Sequence, residues 1–367
     1  MNRPTRHSVA MDASVLAGFD AILDARSPSE YAEDHVPGAL SCPVLDDAER
    51  ARIGTLYKQV SPFEARKLGA ALVAKNIARH VETLFAGKPK RWRPLVYCWR
   101  GGKRSAAMAH VLREIGWEAQ TLEGGYKAYR RHVVERLATL PGVLTFRVIH
   151  GVTGSGKSRF LRALRAAGAQ ALDLEELAAH RGSVLGNLPE RPQPTQKMFE
   201  SRLLRELQQL DASAPVFAEG ESRKIGQLQV PAALIERMRA SECVLLETGL
   251  ETRVALLLDE YRHFFADPAA LAAQLDCLAS LHGRARVNDW KSLAARGEWR
   301  RLVARLLEEH YDPAYRSSAA KNFARLGEAR VLRVNSPEQA AFARLARRLA
   351  GRRDGADSNA SLAEAAA

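Results

Sequence analysis

One motif in this sequence dictates its own local fold. Residues Gly151 to Ser158 read Gly-Val-Thr-Gly-Ser-Gly-Lys-Ser and fit the phosphate-loop pattern G-x-x-x-x-G-K-[ST] without a mismatch. An apolar run, residues 145–150, precedes the loop, and a helical pattern, residues 158–167, follows it. Because the backbone amides of such a loop surround an anion at the start of a helix, strand, loop and helix must adjoin. The motif therefore predicts an α/β unit that binds linked phosphates.

Each position of the loop has an expected role. We predict that the phosphate contacts come from Gly151, Thr153, Gly154, Ser155, Gly156, Lys157 and Ser158. Ser158 would also hold Mg²⁺, with Asp173 or Glu219 as a partner, because each of these carboxylates follows an apolar strand. Either carboxylate could instead be a helix cap or a surface charge. The loop does not specify the rest of the ligand: ATP and any organic diphosphate would satisfy the same amides.

A second glycine-containing loop lies upstream, at the end of a predicted strand, residues 93–97. It reads Cys98-Trp99-Arg100-Gly101-Gly102-Lys103-Arg104-Ser105, and a helical pattern continues from Ser105. A reactive thiolate needs local positive potential, which loop amides, a helix N-terminus and cations supply. We predict Cys98 and Arg104 as catalytic residues. The supporting anion loop comprises Arg100, Gly101, Gly102 and Lys103. The alternative, a buried cysteine that only packs, suits Cys42 and Cys277.

Composition narrows the class of protein. The chain has 367 residues, four cysteines with no C-x-x-C pair, and a formal net charge of +13. These cysteines indicate neither a zinc site nor a disulfide scaffold and fit a reducing compartment. The chain shows no signal-peptide pattern and no apolar run long enough for a membrane span, so we predict a cytoplasmic protein without a membrane partner. The positive charge favours a polyanion such as nucleic acid, although an arginine-rich composition alone would also produce it.

The pattern of strands and helices divides the chain into two α/β units. The first is predicted over residues 8–137 and contains a parallel sheet. The second, residues 138–350, alternates strands with helices, as in the doubly wound sheet of P-loop NTPases, and carries an arginine-rich helical insertion near residues 271–311. The small, polar residues 351–367 are predicted to be a disordered tail.

The first unit resembles a rhodanese domain. The resemblance rests on Asp24-Ala25-Arg26, on Glu30-Tyr31 with His35-Val36-Pro37-Gly38-Ala39, on the strand leading into Cys98, and on Gly124-Gly125. Such domains carry a chalcogen atom on this cysteine. Here the loop is one residue longer than the common form, with Gly101-Gly102 where one glycine is typical. Cys98 and Arg104 are then spaced C-x5-R, which also occurs in cysteine phosphatases, and a wider loop suits phosphate or selenophosphate.

The two units together resemble the tRNA 2-selenouridine synthase family over nearly the whole chain. The matching segments are 97–102, 151–158, Asp173-Leu174-Glu175 with His180-Arg181-Gly182-Ser183, 219–226 and His310-Tyr311-Asp312-Pro313. The resemblance implies conversion of wobble 2-thiouridine in tRNA to 2-selenouridine. The sulfur is first alkylated with a geranyl group from geranyl diphosphate, and selenium from selenophosphate then replaces the geranylthio group.

That chemistry would employ both loops. Lys157 would stabilise the diphosphate leaving group, Cys98 would accept or relay selenium, and Arg104 with the amides of Gly101 and Gly102 would bind the donor phosphate. The partners implied are the anticodon region of tRNA and the selenophosphate-producing enzyme. The arginines of residues 284–305 are the predicted RNA surface, with a solvated helical face as the alternative.

Three other functions fit parts of the sequence. One is a sulfurtransferase coupled to ATP hydrolysis. Another is a cysteine phosphatase fused to a kinase-like module, supported by the C-x5-R spacing. The last is a regulatory protein that senses ligands without turnover, which two intact loops make the weakest of the three. Competition by geranyl diphosphate at the second loop would favour the family function, whereas nucleotide hydrolysis lost on Lys157→Ala would favour an ATP-coupled one.

Overall fold

A computed structural model describes residues 7–183, 185–188, 191–315, 323 and 325–351. These residues form two compact units. The first contains the chain up to Thr139 together with residues 194–205, and the second contains residues 140–193 and the chain from Glu206 onward. The tail predicted to be disordered, residues 351–367, lies outside the described residues except for Gly351.

The first unit is built on a five-stranded parallel sheet. Its strands are β1 Ser8–Val9, β2 Ala21–Asp24, β3 Leu40–Ser41, β4 Pro94–Tyr97 and β5 Gln120–Leu122, in the order β1-β5-β4-β2-β3. The helices are α1 Ala13–Leu16, α2 Pro28–Glu33, α3 Asp47–Gln59, α4 Pro62–Glu82, α5 Lys103–Glu114 and α6 Gly125–Thr139. All four residues of β4 are buried. This strand is therefore a central one, and it delivers Cys98 at its carboxyl end.

Residues 194–205 belong to the first unit although they follow the phosphate loop in sequence. Thr195 Oγ1 donates to the Glu33 carbonyl, Lys197 pairs with Glu33 at 2.6 Å, and Arg130 pairs with Glu200. These contacts join residues far apart in the chain, so the helical pattern alone could not reveal them.

The second unit is a doubly wound α/β unit, as the sequence predicts. Its parallel sheet contains β6 Phe146–His150, β7 Gln170–Leu172, β8 Val216–Glu219, β11 Glu242–Thr248 and β12 Arg330–Val334, in the order β12-β11-β6-β8-β7. A small antiparallel pair joins β9 Lys224–Ile225 and β10 Leu228–Gln229. The core helices are α7 Lys157–Ala166, α8 Leu174–Ala178, α10 Ala232–Arg239 and α11 Leu250–Glu260. The helix α9 Gln196–Gln208 belongs to the first unit as far as Arg205. The central strand β6 runs directly into the phosphate loop.

A group of short helices follows α11 and includes the predicted insertion. They are α12 His263–Ala266, α13 Pro268–Asp276, α14 Ala279–His282, α15 Arg284–Ala295 and α16 Trp299–Leu306, followed by a π-helical turn Leu307–Tyr311. They enclose their own core around Trp290 and Leu275, both fully buried. The last helix, α17 Gln339–Ala350, packs its Phe342 side chain into the core of the second sheet.

No helix within the described part of the chain is both long enough and apolar enough to cross a bilayer.

Candidate functional site

The sulfur of Cys98 is buried and surrounded by hydrogen-bond donors. The residue is 3% exposed, and its Sγ accepts from the Gly102 amide and from Ser105 Oγ, both at 3.2 Å. Gly102 is the N-cap of α5. The sulfur therefore lies at the N-terminus of a twelve-residue helix, where the amides and the helix dipole stabilise negative charge on it.

Two glycines allow the cysteine loop to pack against the start of α6. Gly101 has φ +67°, and a Cβ there would lie 2.7 Å from the Leu122 carbonyl oxygen. A Cβ on Gly125 would lie 2.2 Å from the Cys98 carbonyl oxygen and 2.4 Å from the Gly101 amide nitrogen. The added glycine thus serves loop packing, and the Gly102 amide bonds the sulfur. Neither feature was foreseen for these residues, which were predicted to bind the donor phosphate.

Arg104 is engaged by a carboxylate within its own unit. Its guanidinium donates to Glu30 Oε2 at 2.7 Å, and Glu30 also accepts from the Ser27 amide at 3.1 Å as the capping box of α2. Burial raises the pKa of Glu30, but the bonds from Arg104 and Ser27 outweigh it and leave the pKa below its usual value. Glu30 would have to share Arg104 with any phosphate bound there.

A buried ion pair between Arg26 and Asp24 lies near the cysteine loop. Arg26 is completely buried, donates to Asp24 Oδ2 at 2.6 Å and lies 4.0 Å from the ring centre of Tyr126. The Tyr126 amide donates to the Cys98 carbonyl at 2.8 Å. The Asp24-Ala25-Arg26 segment of the rhodanese resemblance therefore positions the cysteine loop through Tyr126 rather than by touching the sulfur.

Arg100 points to a separate basic cavity of about 520 Å³, which Lys127 and Arg131 also line. All three are exposed, and within the described residues no carboxylate forms an ion pair with them. Lys103 is exposed at the first position of α5. The first unit therefore presents exposed cations without a carboxylate partner among its described residues, and one of them, Arg100, belongs to the cysteine loop.

The phosphate loop adopts a conformation that glycine makes accessible. Gly154 and Gly156 have φ +77° and +88°, and a Cβ on Gly156 would lie 2.6 Å from the Phe342 ring. Lys157 Nζ donates to the Gly151 carbonyl at 3.0 Å. Ser155 Oγ is buried and has no hydrogen-bond partner within the described structure. A phosphate ligand would take over Lys157 from its own loop.

The loop opens into a cavity of about 460 Å³. Thr153, Gly154, Gly156, Lys157 and Ser158 line its floor. Cations from other elements line its walls: Arg162, Arg181, Arg191 and Arg239. Five carboxylates line the same cavity: Asp173, Glu175, Glu176, Glu221 and Glu260. Arg181 pairs with Glu260 at 3.4 Å, so the positive charge that a polyphosphate group requires comes from Lys157 and the other arginines. Of these arginines only Arg181 lies in a segment that matches the family, and the four are dispersed along the chain, so no local pattern marks them as neighbours.

The two predicted metal carboxylates have other partners. Asp173 caps α8 by accepting from the Glu176 amide at 2.8 Å, which is the helix-cap alternative. Glu219 Oε1 accepts from the Glu175 amide at 2.8 Å. Ser158 Oγ instead donates to Glu175 Oε2 at 3.0 Å. The carboxylate next to Ser158 is therefore Glu175, from the matching segment Asp173-Leu174-Glu175.

Glu175 and Glu221 form a carboxyl pair next to Gly182. A Cβ on Gly182 would lie 2.8 Å from Glu221 Oε2 and 2.9 Å from Glu175 Oε1, so the two carboxyl groups converge on one glycine. Burial and repulsion from Glu221 raise the pKa of Glu175 to about 8, and burial also raises the pKa of Glu221. A proton shared between them would relieve this repulsion.

These residues fit a Mg²⁺ ion held together with phosphate. No set of three histidine, cysteine or acidic residues suited to a metal occurs among the described residues. Mg²⁺ is commonly held by one or two carboxylates plus substrate phosphates. Here Glu175 would provide a carboxylate and Ser158 a hydroxyl, 3.0 Å apart, and the phosphates would come from the substrate. Bound there, the ion would neutralise phosphate charge. Asp173 Oδ1 accepts the helix-cap bond, and the metal roles of Asp173 and Glu219 stay predictions.

The arginines of the insertion are mostly paired. Carboxylates of the second unit accept from Arg286, Arg296, Arg300, Arg301 and Arg305. Arg305, for example, pairs with Glu309 at 2.6 Å, one turn along the helix. Such exposed pairs are weak and phosphate could displace them. The predicted RNA surface is therefore less cationic than its sequence indicates.

Comparison with known proteins identifies the class of both units. A family model described as the tRNA 2-selenouridine synthase AAA domain matches residues 144–282, and a rhodanese-like domain model matches residues 10–132. The molecule is thus a rhodanese-like unit joined to a P-loop unit, which confirms the fold predicted from sequence.

Curated relatives identify the family. The tRNA 2-selenouridine synthase of Bdellovibrio bacteriovorus is 36% identical over 252 residues, covering 65% of this chain and 64% of the relative. The Shewanella halifaxensis protein of the same name is 38% identical over 245 residues, covering 66% of each. The Nitrosomonas eutropha protein is 34% identical over 278 residues, covering 75% of this chain and 70% of the relative.

The chain belongs to the tRNA 2-selenouridine synthase family. The alignments with the Bdellovibrio and Shewanella proteins span just under two thirds of those proteins' length.

Proposed function

We propose that this protein converts 2-thiouridine at the wobble position of tRNA to 2-selenouridine in two substitutions, with geranyl diphosphate and selenophosphate as co-substrates. The main support is that one chain of this family has both a buried cysteine at a helix N-terminus and a phosphate loop whose cavity is lined by Lys157 and four arginines. The reaction would occur in the cytoplasm, with tRNA as the macromolecular partner and the selenophosphate-producing enzyme as a second one.

The first substitution belongs to the phosphate loop. The thiocarbonyl sulfur of the base attacks C1 of geranyl diphosphate, the C1–O bond breaks, and diphosphate leaves with the electron pair. The N3 proton of the base is lost to solvent, which restores neutrality. Lys157, the loop amides and the arginines of the cavity stabilise the charge that develops on the diphosphate oxygens. Alkylation converts the sulfur into a good leaving group.

The second substitution belongs to Cys98. Its Sγ attacks the phosphorus of selenophosphate, the S–P bond forms as the P–Se bond breaks, and selenide leaves with the electron pair. Selenide then adds at C2 of the base, and geranylthiolate leaves with the electrons of the C–S bond. Water hydrolyses the phosphorylated cysteine. The amide of Gly102 and the hydroxyl of Ser105 stabilise the thiolate that attacks and returns.

The RNA surface has two sources of positive charge in this proposal. Arg100, Lys127 and Arg131 are exposed cations in the first unit, and the insertion arginines contribute after displacement of their carboxylates. Each phosphate contact releases counterions, so binding must weaken steeply with salt.

Nucleoside analysis of single variants tests the proposal. In cells whose only copy of the gene carries Lys157→Ala, we expect 2-thiouridine to persist with no geranylated product. With Cys98→Ala, we expect S-geranyl-2-thiouridine to accumulate and 2-selenouridine to be absent. Cys277→Ala and Lys90→Ala, which change exposed residues outside both loops, are matched controls and should give normal tRNA. Mass spectrometry of digested tRNA measures all three nucleosides.

A normal level of 2-selenouridine in the Cys98→Ala strain would show that the cysteine has no covalent role. Nucleotide hydrolysis that Lys157→Ala abolishes, without competition from geranyl diphosphate, would favour the ATP-coupled sulfurtransferase or the phosphatase–kinase alternative.

A further inference from the structure

An apolar cavity adjoins the phosphate cavity in the second unit. It measures about 60 Å³, and its walls are almost entirely hydrocarbon, from α11, α12, α13, α16 and the π-helical turn. The side chains most useful for testing it are those of Leu258, Phe265, Leu302, Val303 and Leu306. The volume corresponds to about four or five water molecules, but apolar walls offer water no hydrogen bonds. Such a space favours a hydrocarbon occupant.

The two cavities share part of their lining. Thr153 of the phosphate loop, Leu257 and Tyr261 border both. We call this shared border the Thr153–Tyr261 seam. Arg253 holds it in place, since its Nε donates to the Thr153 carbonyl at 2.9 Å and its guanidinium pairs with Asp312 at 2.6 Å. A ligand with its diphosphate on the loop amides would thus place its attached group at the mouth of the apolar space.

The helix α16 explains how one insertion provides both apolar and basic surfaces. Leu302 and Leu306 face inward and are buried, whereas Arg301 is exposed on the opposite side and pairs with Glu298. Its period of apolar residues is that of an amphipathic helix whose buried face covers a core. Here that face covers the apolar cavity, so the insertion predicted as an RNA surface also forms a wall beside the phosphate site.

We propose that this apolar cavity receives the distal isoprene unit of the allylic diphosphate whose phosphates occupy the loop, and that it sets the accepted chain length. The inference rests on the proposed geranyl transfer. The available volume holds about one five-carbon unit, while the proximal unit lies at the Thr153–Tyr261 seam. Each methylene moved from water into such a space contributes about fourfold to affinity. A ten-carbon chain should therefore bind much better than a five-carbon chain, and a fifteen-carbon chain should not fit.

Two substitutions with opposite effects on volume test the proposal. Val303→Phe would fill the cavity, and we expect the geranyl-to-dimethylallyl ratio of kcat/KM for tRNA alkylation to fall at least tenfold. Phe265→Ala would enlarge it, and farnesyl diphosphate should become a substrate at a rate at least tenfold above wild type. Val143→Phe, a matched substitution at an exposed residue of the same unit, should leave both ratios unchanged.

Binding of inorganic diphosphate, measured by calorimetry, provides a readout that is independent of turnover. It should be unchanged in Val303→Phe and Phe265→Ala, because neither residue lines the phosphate cavity. If Val303→Phe unfolds the insertion and loses diphosphate binding, Phe265→Ala decides the question alone.

The two proposals fail in different ways. If the wild-type protein alkylates tRNA with none of the dimethylallyl, geranyl and farnesyl diphosphates, the proposed function is wrong. The assignment of chain length to the apolar cavity is then wrong as well. If the wild type uses geranyl diphosphate but both variants keep its chain-length ratios, the cavity assignment is wrong and the proposed function stands.

Discussion

The two anion loops of this protein both contain glycines and cations, but they differ in what surrounds them. At the cysteine loop Cys98 is 3% exposed, two donors already bond its sulfur, and Arg104 is paired with Glu30. At the phosphate loop a cavity of about 460 Å³ faces Lys157 and four arginines. The donors of the first loop surround an atom of the protein itself, whereas the second loop borders a cavity. Reactivity should therefore be sensitive to small changes in the first, and affinity to changes of charge in the second.

The largest effect should come from closing the space between the cysteine loop and α6. In Gly125→Ala the new Cβ would lie 2.2 Å from the Cys98 carbonyl oxygen, a backbone atom that cannot move without the loop. We expect a loss of about 3 kcal/mol in stability. Selenium incorporation should fall at least 100-fold while tRNA geranylation persists. Urea unfolding and nucleoside analysis measure the two effects.

Gly116→Ala is the matched control for that substitution. Gly116 also has a positive φ, +105°, but a Cβ there meets nothing within 4 Å. It should lose only the roughly 1 kcal/mol that left-handed backbone costs an alanine. Equal losses in the two variants would show that backbone conformation, and not loop packing, makes Gly125 necessary.

The second effect tests the carboxyl pair beside the phosphate loop. Because the pKa of Glu175 is raised to about 8, the folded state holds a proton that the unfolded chain releases near pH 4.5. Stability should therefore fall as pH rises from about 4.5 to about 8, with a slope of up to about 1.4 kcal/mol per pH unit. Glu175→Gln, which keeps a neutral side chain, should flatten this slope. Denaturant unfolding at pH 6 and pH 9 measures it.

Glu30, beside the cysteine loop, should change stability with pH in the opposite direction to Glu175. The pKa of Glu30 is lowered, so its ion pair with Arg104 contributes stability above the unfolded pKa that is lost as pH falls through the folded value. Glu30→Gln should therefore destabilise the protein at pH 7 and have little effect at acid pH. A loss that is the same at both pH values would mean that hydrogen bonding, not charge, carries the contribution.

The sequence predicts features formed by neighbouring residues well, and it predicts contacts between residues far apart in the chain poorly. The strand, loop and helix around each anion site are local, and both were predicted with nearly correct bounds. The capping box of Ser27 and Glu30 likewise joins residues close in sequence. The second role of Glu30, as the partner of an arginine 74 residues away, was not visible, because pairing at that range depends on how strands and helices fold together.

The same limit explains the other differences. Asp173 and Glu219 were chosen because each ends a strand, yet Glu175, two residues beyond Asp173, reaches Ser158 once α8 has turned. The apolar cavity draws its walls from residues between 153 and 311, and no local pattern marks them as neighbours. The family resemblance supplied the segments that contain Glu175 and Arg181, but not their contacts.

The third effect concerns the donors to sulfur. Ser105→Ala removes the hydroxyl that donates to Cys98 Sγ at 3.2 Å while keeping the Gly102 amide. One hydrogen bond to a charged acceptor is worth about 1.5 kcal/mol, so selenium incorporation should slow about tenfold. Geranylation should keep its rate, since the phosphate loop has its own donors. Ser29→Ala, which removes an exposed hydroxyl bonded to Asp47, is a suitable control. An equal slowing of both steps would contradict the division of labour between the loops.

The smallest effect separates free from paired cations in RNA binding. Arg100 and Lys127 have no carboxylate partner among the described residues, whereas Arg300 and Arg301 pair with Glu251 and Glu298. Removing both free cations should weaken tRNA binding several-fold and reduce the slope of log K against log salt by about 2, one per lost phosphate contact. Removing Arg300 and Arg301 should change the slope less, because a phosphate must first displace each carboxylate. Filter binding at several salt concentrations measures both. If the paired arginines gave the larger change in slope, the insertion would be the principal RNA surface, and the exposed cations near the cysteine loop would serve the small anionic donor instead.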